Sequence, residues 1–309
     1  MLHMRKQTNC FFIFLFLLVF IPTIHNPVDG QGIQSMKAAE DTLAAILTRL
    51  NKTDDDSLKY VINNSFYHTL LNALMLPESD NFTFESLKTL IKISSDDNKF
   101  RIFHWNLPGN DGKKRYFGFL KLLNLETPTV FPLIDSSDSI ISPETALLDH
   151  QHWFGALYYT AISGKTVLGK KYYTLLGWAG NNATITRKVI EIISFDDHDI
   201  PQFGLAVFPN YEGGNMTRII FRYSASASMS LKYEEQLISS GKKWNPKKRD
   251  FEYETRSALM IVFDHLVPLD AHLEGQYQFY VATGDIVDAF QSVNGSWKFI
   301  SGIESRNKH

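Results

Sequence analysis

The sequence predicts an α+β protein in which a small N-terminal helical part precedes a predominantly antiparallel β meander. Three observations predict it. Between Thr217 and Glu234 the residues alternate: Ile219, Phe221, Tyr223, Ala225, Ala227, Met229, Leu231 and Tyr233 make one apolar row, and the intervening row is polar except for Ile220. A period of two belongs to a strand with one face buried and one wet. Short aromatic and aliphatic runs recur from Phe100 onward, separated by turn clusters such as Pro108-Gly109-Asn110-Asp111-Gly112 and Tyr211-Glu212-Gly213-Gly214-Asn215. Connections this short join antiparallel neighbours, because parallel pairs need a crossover of a dozen residues or more. Before Phe100 the apolar residues instead fall at helical spacing.

Residues 1–30 have the layout of a secretory signal peptide: basic Arg5 and Lys6, an apolar run from Phe11 to Ile21, Pro22, and small or β-branched residues before a cut at Gln31. The run is short for a membrane span, which needs about 20 residues. Residues 31–98 form the helical region. Ile33, Met36, Leu43, Ile46, Leu47 and Leu50 stripe a first helix, and Leu58, Val61, Ile62, Phe66, Leu70 and Leu74 a second. Asp54, Asp55 and Asp56 offer carboxylates to cap the second helix, and Asn63-Asn64-Ser65 is weak helix material where it could break. The segment from Phe84 to Ile91 fits helix or strand equally.

Residues 99–309 form the β body, with about ten strands expected on these patterns. The strand through Thr217–Glu234 would span roughly 50 Å unbroken, so a bend or tight reversal is expected near Ser224 to Ser228. Thr127 to Asp149, with three prolines, and the Lys- and Gly-rich Ser239 to Asp250 read as loops. A Phe-Gly step recurs at Phe117, Phe154 and Phe203, which keeps a β-propeller-like all-β fold as the alternative, although its spacing is unequal.

Cys10 is the only cysteine and lies in the leader, so the exported chain would hold together by its core, without disulfides or thiolate chemistry. The 31 basic against 33 acidic residues give a net charge of −2. That leaves no overall basic excess for nucleic acid.

Several blocks together resemble a group of uncharacterised secreted proteins of Gram-negative bacteria. They include Phe100-Arg101-Ile102-Phe103-His104-Trp105-Asn106, Tyr172-Tyr173-Thr174-Leu175-Leu176-Gly177-Trp178, Met229-Ser230-Leu231-Lys232-Tyr233-Glu234 and Ile261-Val262-Phe263-Asp264-His265-Leu266. The resemblance implies a periplasmic or secreted protein and brings no activity, cofactor or catalytic residue with it. The stretch Ala282-Thr283-Gly284-Asp285 departs from it, where a Pro-Asp-Gly turn would be typical.

Candidate chemistry is sparse. Asp264 and His265 end an apolar strand, but adjacent strand residues point to opposite faces and cannot easily act on each other. Glu191 shares a face with Val189, Ile193 and Phe195, where a buried carboxylate would be a candidate acid and an edge position or an ion pair is the plainer alternative. His150 and His152 have the alternate spacing that lets two imidazoles share a metal, with no third ligand in view. The phosphate-loop, nucleophile-elbow and zincin motifs do not occur. These readings predict a non-catalytic exported protein with a binding or scaffolding role in the cell envelope, without a cofactor, meeting an envelope protein or a glycan. A carboxylate-dependent hydrolase and an assembly component pairing by a sheet edge are the alternatives.

Overall fold

The computed structural model describes residues 28–180 and 182–303. The expected signal peptide lies outside the described residues, except that Val28 to Gly30 open the first helix. Helix α1 (Val28–Asn51) and helix α2 (Asp56–Leu74) pack on each other. Asp55 caps α2, its carboxylate accepting the Leu58 N–H at 2.7 Å. The helix runs unbroken through Asn63-Asn64-Ser65. Asn63 is buried there and accepts the Trp105 indole N–H at 2.7 Å, so a tertiary bond overrides local propensity. The ambiguous segment from Phe84 is a series of turns as far as Leu90 that sinks Phe84, Leu87 and Leu90 into the core, and only its last residue, Ile91, is in a strand.

A first sheet follows, in the order β1 (Ile91–Ser94), β2 (Phe100–Pro108), β3 (Lys114–Leu122) and β4 (Thr129–Ile134). The Pro108–Gly112 turn joins β2 to β3 in the expected hairpin, with Pro108 opposite Lys114. The second sheet runs β5 (Leu148–Asp149), β9 (Pro201–Phe203), β8 (Ile185–Phe195), β7 (Lys171–Gly180) and β6 (Leu157–Lys165). Strands β10 (Phe208–Tyr211) and β11 (Gly214–Met216) pair by themselves. Strand β12 (Ile219–Ser224) then joins β8 beyond the residues that pair with β9. The third sheet is a meander of β13 (Leu231–Asn245), β14 (Asp250–Pro268), β15 (Tyr280–Val293) and β16 (Ser296–Ile303).

The strand pleat arranges these elements as four layers. Phe103, Trp105 and Leu107 of β2 point into the cluster formed with the helices. Phe100 and Ile102 point the other way, against Tyr173 and Leu175 of the second sheet. Tyr172, Leu176, Ile190 and Ile192 of the second sheet then face Ile261, Phe263, Phe290 and Trp297 of the third. Helices, first sheet, second sheet and third sheet thus stack in chain order. Strands covered on both faces lose simple alternation and read as apolar runs.

The α+β reading holds, and all the ladders between named strands are antiparallel. The sheets have four, two, six and four strands and none closes into a barrel among the described residues, unlike the equal blades of the propeller alternative. The expected interruption near Ser224 is present: β12 stops at Ser224, a turn follows with the Ala227 N–H bonded to the Ser224 carbonyl, and β13 starts at Leu231 in another sheet. Ile219, Phe221, Tyr223, Met229 and Leu231 are buried and Tyr233 partly so. The wet face needs correction: Arg218, Ile220 and Ser224 are also buried, because β12 lies between two cores.

Two expected loops are corrected. Thr127 to Asp149 contains β4 and β5, and Pro132 fits because β4 is an edge strand, where a missing N–H costs no ladder bond. Ser239 to Asp250 is the distal part of the β13–β14 ribbon rather than a loop.

Candidate ligand-binding clefts

The larger cleft, of about 630 Å³, lies where α2, the β2–β3 turn, the end of β4 and the start of β8 meet. The turn is pinned to the helix start: Asn110 donates its backbone N–H to Asp56 at 2.8 Å and its side-chain amide to the Asp54 carbonyl. Tyr60 and Tyr67 line it from α2, and Phe117 from β3 stacks on Trp105 at 5.6 Å.

Four cations line this cleft: Lys113, Lys114, Arg115 and Arg187. Lys113 pairs with Asp138 at 3.2 Å and Arg115 with Asp111 at 2.9 Å. Lys114 and Arg187 are half-buried, and neither has a carboxylate within ion-pair distance among the described residues. Lys114 lies over the Trp178 ring, and Arg187 over that of Phe154 at 5.0 Å while its Nε–H reaches the Ala179 carbonyl at 3.3 Å. Burial pushes the Arg187 pKa down.

Asp135 lines the same cleft but is committed to the backbone. It accepts N–H bonds from Tyr116 (3.1 Å), Ser137 (3.1 Å) and Gly155 (3.3 Å), and the Ser137 hydroxyl. These bonds make the carboxylate a strut for the backbone around the cleft. Gly155 is required for this: a Cβ there would lie 2.6 Å from the Asp135 carboxylate.

The second cleft, of about 320 Å³, is lined by β12, β14 and residues around Tyr277. It contains both adjacent sequence candidates, Asp264 and His265, and they do not act on each other. Asp264 accepts the Ser230 N–H at 2.7 Å. His265 Nδ1 is 2.6 Å from Asp288 Oδ2, and Asp288 Oδ1 accepts the Gly302 N–H. Asp288 was not legible as a candidate; its only signal was a carboxylate among the apolar residues of Ile286 to Phe290.

Glu191 stands apart from both. It is fully buried on a strand with neighbours on both sides, so of the two plainer alternatives the ion pair is present and the edge position is not: it receives the Arg218 Nε–H at 2.5 Å. Burial pushes its carboxyl upward while Arg218 opposes the shift. The two sequence-predicted metal candidates also part: His150 Nδ1 meets the Pro132 carbonyl and His152 Nδ1 meets Asp149, on a turn rather than a strand.

No family model matches the chain, and no curated protein or solved structure is significantly similar to it. No helix among the described residues is long and apolar enough to cross a membrane.

Proposed function

We propose that this is an exported, non-catalytic binding protein of the cell envelope, whose larger cleft takes an acidic, hydroxyl-bearing ligand of the acidic-saccharide class. The observation that supports this is the pairing state of the lining cations: Arg187 and Lys114 are partly desolvated and have no carboxylate within ion-pair distance among the described residues, beside tyrosine rings. A guanidinium presents a planar fork that meets a carboxylate through two parallel bonds. Tyr60, Tyr67 and Phe117 offer apolar faces for a sugar ring, and Asn64 and Ser136 offer amide and hydroxyl groups for its oxygens. Export rests on the signal-peptide layout of residues 1–30, and a place among secreted Gram-negative proteins rests on the residue blocks quoted above.

The test is thermal shift with uronic-acid oligosaccharides and their neutral counterparts. The acidic members are expected to raise the midpoint, and Arg187→Gln to remove that rise while leaving the ligand-free midpoint within a few degrees. Equal response to neutral sugars, or an unchanged response in Arg187→Gln, overturns the reading.

One observation favours a hydrolase as the second reading. His265, oriented by Asp288, lines a cleft with Asp264 and Glu144, and its Nε2 has no hydrogen-bond partner among the described residues. Turnover of chromogenic glycosides or esters that disappears in His265→Ala would favour it over binding alone.

A further inference from the structure

Strand β15 pairs with β14 only from Met260 onward. From Asp250 to Leu259, β14 has β13 as its sole partner among the described residues, and β13 is an edge strand there. The outer ten or so residues of each strand therefore form a two-stranded arm, roughly 35 Å long at the usual rise. A two-stranded ribbon is at best marginally stable alone in water.

One face of the arm carries exposed apolar side chains between polar ones. Phe251 and Leu259 stand on the same face of β14 as Ile261 and Phe263, which are buried in the core. Beyond the core this face is mixed, with Glu235 opposite Leu259 and Ser257 opposite Leu237. Leu237, Leu259, Trp244 and Phe251 are 48%, 54%, 50% and 56% exposed. Trp244 sits directly opposite Phe251, the rings edge to face at 5.2 Å. Around this pair basic residues outnumber acidic ones: Lys242, Lys243, Lys247, Lys248 and Arg249 against Asp250, Glu252 and Glu254 within residues 242–254, with Glu252 directly opposite Lys243, in a chain of net charge −2.

We propose that this arm docks the protein on an anionic lipid bilayer, with Trp244 and Phe251 at headgroup level and the basic turn against lipid phosphates. Aromatic side chains favour that depth, and a basic cluster gains from the negative surface potential. The charge selects this occupant: an uncharged apolar groove on another protein would gain nothing from the basic turn. The ribbon's unpaired edges keep it shallow, where water or headgroups satisfy its backbone.

The test is co-sedimentation of the purified protein with vesicles of phosphatidylcholine alone or mixed with phosphatidylglycerol. Binding is expected only to the mixed vesicles and is expected to fall with salt. Neutralising Lys247, Lys248 and Arg249 to Gln should weaken it by on the order of 100-fold, at about fivefold per basic residue removed. Trp244→Ala with Phe251→Ala should weaken it at least tenfold with an unchanged thermal midpoint. Trp244→Phe should keep binding but lose the blue shift of tryptophan emission on vesicle addition. Equal binding to neutral vesicles, no binding, indifference to these substitutions, or arm-dependent self-association by light scattering without vesicle binding each overturns the proposal. None of these outcomes depends on the ligand of the larger cleft.

Discussion

Arg218 donates its Nε–H to Glu191 Oε2 at 2.5 Å, and neither side chain touches water. The guanidinium also donates to the Pro143 carbonyl, so the pair ties the second sheet to the segment between β4 and β5. Arg218 Nη2 is buried and has no partner among the described residues. A buried ion pair contributes little relative to apolar residues of the same shape, but removing one partner strands the other charge.

Replacing Glu191 by Leu alone should therefore lower stability by about 3–5 kcal/mol. Glu191→Leu combined with Arg218→Met should cost clearly less than the two single changes together. Urea unfolding midpoints of the four proteins check this; strict additivity would mean that the charges do not interact.

His104 gives a pH dependence of known sign. Its ring is wholly buried on the β2 face toward the second sheet, with Nδ1 at 3.0 Å from the Ile91 carbonyl and Nε2 accepting the Tyr158 N–H at 2.7 Å. Burial pushes its pKa down to about 4 from the ordinary 6.5. Between these values the unfolded chain binds the proton and the folded one does not, so stability falls as pH drops from 6.5 toward 4. The loss attributable to this ring is roughly 3 kcal/mol at full titration. In His104→Gln the slope of stability against pH over that window should flatten, whatever the variant's absolute stability.

Gly155→Ala should disturb the larger cleft without touching any lining cation. The added methyl displaces the Asp135 carboxylate and with it the bonds to Tyr116, Ser137 and Gly155. A cost of about 1–3 kcal/mol is expected for such crowding, together with weaker binding of acidic saccharides. A variant as stable as the parent would show that the segment after β4 can move aside.

Trp105 and Asn63 join the helix layer to the first sheet through one buried bond. Asn63→Ala should cost about 1–3 kcal/mol by leaving the indole N–H unsatisfied. Asn64→Ala, one residue on and exposed, should cost far less. Paired denaturant curves check the contrast.

Much of the architecture was legible because it rests on local rules. Ile219, Phe221, Tyr223, Met229 and Leu231 are buried as their alternation implies, while Ala225, in the turn between the strands, is exposed, and Asp55 caps the second helix as its position implies. What escaped depended on neighbours remote in sequence. Arg218 looked like part of a wet face, because only the packing of β12 between two cores shows that both its faces are covered. β4 hid behind Pro132, since nothing local says that its strand is an edge. The basic stretch near Lys247 lacks apolar alternation at its tip, so the ribbon passed for a loop. Of the site, Asp264 and His265 were visible as a strand-end pair. The true partner of His265, Asp288, lies 23 residues away on the next strand. The larger cleft was not legible: Tyr60, Lys114, Ser136 and Arg187 come from four separate segments.

The most direct test of the binding role is an amide chemical-shift map of the labelled protein titrated with a uronic-acid disaccharide. The account predicts saturable shifts gathered at Tyr60 to Tyr67, Lys113 to Phe117, Leu133 to Ser139 and Arg187. Shifts centred on His265 and Asp288 instead, or none at millimolar ligand, would contradict it.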